Sequence, residues 1–217
     1  MAELQQLVRL GIPIVDERLG AIYPGSMILV EAVPEAYPHV MVHMSLHHQA
    51  SQANPVSYIV VLDDPEDYKT MAKNMGIKVE TFEVNDLWRY DDAISVEDAL
   101  VKTINHLSRN RLVATDLIGL KITVDYTKKF MEIVEVNRRR QLLTYLLVTP
   151  QLVDNDLLYL LEKRAEVVFN LKLEYAKEGV RRIIWIKKTK RILGRDAYLE
   201  YTITPRGIEI ETVKRVI

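Results

Sequence analysis

Apolar residues along this chain follow two alternating periods. Short, almost uniformly apolar runs at 26–30 (SMILV), 57–63 (SYIVVLD), 111–116 (RLVATD), 142–149 (LLTYLLVT) and 166–176 (EVVFNLKLEYA) have the length and β-branched content of buried strands. Between them, apolar residues recur every three or four positions, as on a helix with one buried face. These stretches are Pro38 to about Gln52, 65–76, 95–110, Tyr126 to about Arg140, and 154–164. Local signals agree with the periods. PEDYKTMAKNMG opens on proline and closes on glycine, the usual asymmetry of helix ends. Ser95 and Asp98 approximate a capping box, after which Val96, Leu100, Ile104 and Leu107 share a face. VETFEV (79–84) alternates and reads as a half-buried strand.

Strands alternating with helices of crossover length predict a parallel sheet covered by helices on both faces. Beyond 176 the helical period disappears. EGVRRIIWIKKTKRI, AYLEYTI and GIEIETV read as strands separated by KEG, LGRD and TPRG turns, which predicts antiparallel hairpins extending the sheet. The expected architecture is one three-layer α/β domain over residues 1–217. It has a lead-in at 1–25, an α/β core at 26–176 and C-terminal hairpins at 177–217.

Composition narrows the function classes. Hydrophobic residues make up 48% of the 217 and charged residues 27%, enough for a large core under a solvated surface. A formal net charge of -1 gives little general attraction to nucleic acid or an anionic membrane. The absence of cysteine excludes disulfides, thiolate metal ligands and cysteine nucleophiles. MAELQQLVRLGIP lacks the basic-then-apolar order of a signal peptide, and no apolar run approaches ~18 residues. A cytoplasmic location without a membrane partner is expected.

The stretch EAVPEAYPHV (31–40) joins the first strand to the first helix, a junction that often holds phosphate. Phosphate loops are built from glycine, yet none lies between Gly25 and Gly76.

The leading string LGIPIVDERLGAIYPGSMILVEA carries a Gly-Ile-Pro, an Asp-Glu-x-Leu-Gly and a Pro-x-Gly-Ser before the strand. VVLDDPEDY, LVATD, LLTYLLVTP, KKTKRILG and YLEYTITPRGIEI follow in order. Together these resemble the KaiC-like proteins of the RecA superfamily, over nearly the whole chain. The resemblance implies a RecA-like sheet and places Asp116 at the Walker B aspartate. It places Asp63 and Asp64, with Glu66 and Asp67 beside them, at the water-activating acids. Lys187, Lys188, Lys190 and Arg191 take the place of a basic strand end that reaches a neighbouring subunit's nucleotide. The family's phosphate loop reads Gly-x-x-x-x-Gly-Lys-Ser/Thr. Without a gap, Ala32 replaces the first glycine, Tyr37 the second, Pro38 the lysine and His39 the hydroxyl residue. Pro38 brings neither charge nor N–H, and Glu35 adds negative charge where phosphate would lie. The Glu35 carboxylate is expected to fill the anion position at the helix N-terminus.

These replacements imply an ATPase-inactive member of the archaeal paralog type, with no cofactor, working as a regulatory or scaffolding module. Its expected partner is another copy of itself or an active relative. Alternatives stay open. An atypical loop could bind a nucleotide or cation through Asp63, Asp64 and Asp116, or those acids could serve only as a helix start and a strand end. Lys128, Lys129 and Arg138–Arg140 suit a recombination accessory that binds DNA, or simply the exposed end of a helix. The acidic QLVDNDLL segment disfavours DNA. His39, His43 and His47 recur at helical spacing, either as a weak metal candidate or as a polar stripe beside Val40, Met41 and Met44.

Overall fold

Strands β1 (Ser26–Ala32), β2 (Val56–Val61), β4 (Leu112–Leu117) and β5 (Leu143–Val148) are buried at every residue. Such strands lie in the middle of a sheet covered on both faces. The computed structural model describes residues 7–20, 22–177, 179–190 and 197–210. Nine strands form one sheet in the order β3-β2-β4-β5-β1-β6-β7-β8-β9, with β3 at Trp88–Ala93, β6 at Val167–Ala176, β7 at Gly179–Thr189, β8 at Ala197–Thr204 and β9 at Gly207–Ile210. The first six in that order pair in parallel, and β6 to β9 pair antiparallel.

The helices sort by face. Helices α2 (Pro38–Ser51), α3 (Pro65–Asn74) and α4 (Val79–Val84) contribute Met41, Leu46, Ala72 and Val79 to one core with Ile28, Val30, Tyr58 and Tyr145. Helices α5 (Val96–Ser108), α6 (Thr127–Arg140) and α7 (Asn155–Arg164) contribute Leu100, Phe130, Ile133 and Leu161 to the other, against Leu29, Ile59 and Leu146. Connections after β1 and β2 therefore leave toward one face, and those after β4 and β5 toward the other. Where they diverge, the carboxyl ends of an open α/β sheet form a crevice.

One expectation is corrected. VETFEV is helix α4, with Val79 turned into the core, and the strand in this region is β3, at the sheet edge. Only Trp88 and Ala93 of β3 are buried, so it shows no apolar run. The lead-in contains a helix, α1 (Pro13–Leu19), beginning at a proline. Asp16 in its first turn folds back to accept N–H groups of Leu10 (2.7 Å) and Gly11 (2.9 Å). The expected hairpins form through Ile210, while Arg191 and the last residues of GIEIETV fall outside the described residues. They lean on α2. Gly207 has φ +100°, a backbone conformation that other residues rarely adopt, and it lies against the Met44 side chain, so glycine is favoured there.

Candidate functional site at the strand ends

The loop after β1 folds on itself. Pro34–Ala36 forms a 3-10 turn, Tyr37 takes a left-handed conformation (φ 51°, ψ 53°), and Pro38 starts α2. The Ala36 N–H donates to the Val33 carbonyl (3.1 Å), and the Tyr37 N–H to the Pro34 carbonyl (2.9 Å). Pro34 and Pro38 have no N–H. An anion cradle needs these groups aimed at a common point, and here they close turns instead. Tyr37 holds a backbone conformation that glycine adopts freely. The C-terminal hairpins brace the loop. Tyr201 donates its hydroxyl to the Ala36 carbonyl (2.5 Å), and Arg182 lies 5.4 Å from the centre of the Tyr37 ring. The Glu35 expectation is corrected. Its side chain is exposed, and among the described residues its carboxylate accepts no hydrogen bond from the 38–41 amides.

Asp116 lies at the end of β4, 6% exposed, with both oxygens occupied. One accepts the hydroxyls of Tyr58 (2.9 Å) and Tyr68 (3.4 Å), and the other accepts the Ile118 N–H (3.1 Å). Burial raises its pKa despite those donors. Asp64 caps α3 by accepting the Glu66 N–H (2.9 Å), the ordinary helix start. Asp63 stays exposed, accepting the Asp64 N–H.

The three histidines diverge. His43 is wholly buried: Nδ1–H donates to the His39 carbonyl (2.7 Å), leaving Nε2 to accept the Tyr90 hydroxyl (2.9 Å). Its ring stacks on Tyr58 with centres 4.7 Å apart, and burial lowers its pKa to about 3. His47 meets the Phe82 ring edge to face. His39 turns toward Tyr68, and burial lowers its pKa to about 4. Among the described residues no three histidine, aspartate or glutamate side chains group to hold a metal ion.

The basic strand end is also engaged within the chain. Lys187 bridges Glu31 (3.1 Å) and Glu162 (2.8 Å), and Glu31, 1% exposed, also accepts from Asn170 (2.8 Å). Burial raises the Glu31 pKa. Lys188 donates to the carbonyls of Glu162, Lys163 and Ala165, closing the end of α7. Lys190 is exposed. A free cluster aimed at a neighbour is therefore not what Lys187 and Lys188 form. Arg138–Arg140 occupy the exposed last turn of α6, and Lys129 pairs with Glu97 at 3.6 Å. Glu31, inside the apolar run SMILVEA, was the available signal for its ion pair; Tyr58 and Tyr68 carried none.

Two cavities flank the loop. One, of about 490 Å³, opens between it and the ends of β2 and β4, over His39, Tyr68 and Asp116. The other, of about 580 Å³, lies toward β5 and β6 over Glu31, Asn170 and Lys187. Elsewhere, Ser57, His106 and Asp91 form a hydrogen-bonded chain (3.2 and 2.5 Å) with the residue types of a hydrolase. Ser57 is wholly buried and accepts from Arg111 (2.8 Å), so the chain ties strands together. No described helix is long and apolar enough to cross a membrane.

No protein-family model and no curated protein matches the sequence. The fold is similar to the crystal structure of KaiC-like protein PH0186 from the hyperthermophilic archaeon Pyrococcus horikoshii OT3. That match has a TM-score of 0.76 and 15% identity, and covers 95% of this chain and 99% of that one. At that identity the likeness shows a shared fold.

Proposed function

We propose that this chain, which has the KaiC-like fold of the RecA superfamily, is an ATPase-inactive member of that fold and works as a regulatory or scaffolding interaction module. The observation that carries this reading is the loop at 33–38, whose Ala36 and Tyr37 amides close turns while Pro34 and Pro38 have none to offer. A triphosphate needs converging amides, a lysine on its β- and γ-oxygens and a hydroxyl on Mg²⁺. Pro38 and His39 stand in the last two places. Asp116, bound to two tyrosine hydroxyls and an amide, is poorly disposed to order a metal-bound water. What the fold offers is surface, and another copy or an active relative is the partner it suits.

The test is thermal unfolding with Mg-ATP, together with phosphate release. A ligand at 100 times its Kd adds about 2.7 kcal/mol. No shift and no phosphate is the expected result, and a saturable rise in Tm would overturn the reading. Sedimentation of the protein alone and mixed with an active KaiC-like relative then tests the module. The expected result is a complex in at least one case.

A further inference from the structure

Strands β5 and β1 are neighbours in the sheet, yet their connections leave toward opposite faces, to α7 and to α2. At such a divergence an open α/β sheet has room for a small molecule beyond its strand ends. The cavity of about 580 Å³ lies there, between the loop after β1, the turn at Pro150 and Gln151 after β5, and the second half of β6. Its size is that of a small-molecule pocket. Its apolar lining comes from Val33, Pro150, Leu158, Leu171 and Leu173. The lining also carries two carboxylates, Glu31 and Glu35, and two ammonium groups, Lys172 and Lys187, so its formal charges cancel. A phosphate would meet the carboxylates here, and a bare metal ion the ammonium groups.

The buried polar groups of this lining have bonding capacity to spare. Glu31, 1% exposed, accepts from Lys187 on both oxygens (3.2 and 3.1 Å) and from Asn170 on Oε2 (2.8 Å). Its Oε1 therefore accepts one hydrogen bond where a carboxylate oxygen can accept two. Lys187 gives a second N–H to Glu162 (2.8 Å), which leaves its third ammonium proton. Asn170 Oδ1 accepts no hydrogen bond among the described residues. One cationic donor and two acceptors, one of them anionic, are thus held together by their own contacts beside an apolar lining. A buried ion pair is weak evidence of a stabilising role, whereas this one suits a ligand that carries both charges. We propose that this cavity binds a free α-amino acid with an apolar side chain. Its carboxylate rests on Lys187, its ammonium between Glu31 and Asn170 Oδ1, and its side chain among Val33, Leu158, Leu171 and Leu173. The inference stands on this cavity and does not depend on the loss of ATPase activity.

Titration calorimetry on the full chain tests this, with leucine, methionine and phenylalanine as probes. Saturable binding of at least one is expected. The amide of the tightest binder lacks the carboxylate, as the first residue of a peptide does, and its N-acetyl derivative lacks the ammonium. Each should bind about tenfold more weakly, the scale of one hydrogen bond to a charged group. Asn170→Ala keeps the Glu31–Lys187 pair and should weaken binding by a similar factor. Glu31→Gln with Lys187→Met removes both charges without stranding either, so it should still unfold cooperatively while binding is lost. No saturable binding of any probe overturns the proposal. So does either derivative binding as tightly as its parent, or binding unchanged in either variant. Mg-ATP is titrated separately, because its binding bears on the ATPase reading alone.

Discussion

Tyr58 and Asp116 join neighbouring strands through a 2.9 Å hydrogen bond with the tyrosine as donor, and both side chains are buried. The pair converts an acidic strand end into an internal tie. Tyr58→Phe is expected to destabilise the fold by about 1.5–3 kcal/mol, the range for a bond to a charged group. Asp116→Asn tests the charge. Because the folded-state pKa is raised above 3.8, the penalty of ionising Asp116 is absent below that pH and grows as pH rises toward the folded value. Urea midpoints measured from pH 3.5 to 7 should lose this contribution in the asparagine variant.

The buried histidines act in the opposite direction. His39 and His43 are neutral when folded, with pKa values lowered to about 4 and about 3. The unfolded chain takes up their protons first as pH falls below 6.5. Their contribution is fully present above 6.5 and is lost toward pH 4 and pH 3, by about 1.4 kcal/mol per pH unit for each. Guanidinium unfolding at pH 7 and pH 5 should show the loss, and His39→Gln should reduce it.

Lys187 neutralises a carboxylate that water does not reach. Lys187→Ala strands Glu31 and should reduce stability by about 3–5 kcal/mol. Glu31→Gln combined with Lys187→Met removes both charges and should lose far less. Chemical denaturation of the three proteins distinguishes a stranded charge from lost packing.

Tyr37 provides a backbone test. In its left-handed conformation glycine is unstrained, so Tyr37→Gly should lie within about 1 kcal/mol of wild type despite losing the ring. Tyr37→Val places a branched side chain at positive φ and should destabilise by about 1–2 kcal/mol. Equilibrium unfolding of both variants measures the difference.

Period and composition made the central sheet legible, because strands buried on both faces must be apolar throughout. They failed at β3, an edge strand whose four middle residues, Arg89 to Asp92, are polar and exposed or half-buried, and at α4, where six residues are too few to separate the two periods. The absence of glycine and lysine from the loop after β1 was readable from Ala32 to His39. The loop's amide directions were not, since they depend on turns set by two prolines and by hairpins far along the chain. The histidine spacing was visible, but spacing says nothing of depth. His43 is buried beneath Tyr90, while His47 is half-buried against Phe82. Lys187 and Lys188 looked like free charge because their partners on β1 and α7 are distant in sequence.

The Tyr201–Ala36 bond spans 165 residues. Forming it closes a chain segment covering most of the molecule, so the loop near the start takes its final shape only after the last strands have been synthesised and docked. Until then the turn at Pro34–Ala36 lacks its brace. During synthesis on the ribosome, the first part of the crevice to be made is among the last to be completed.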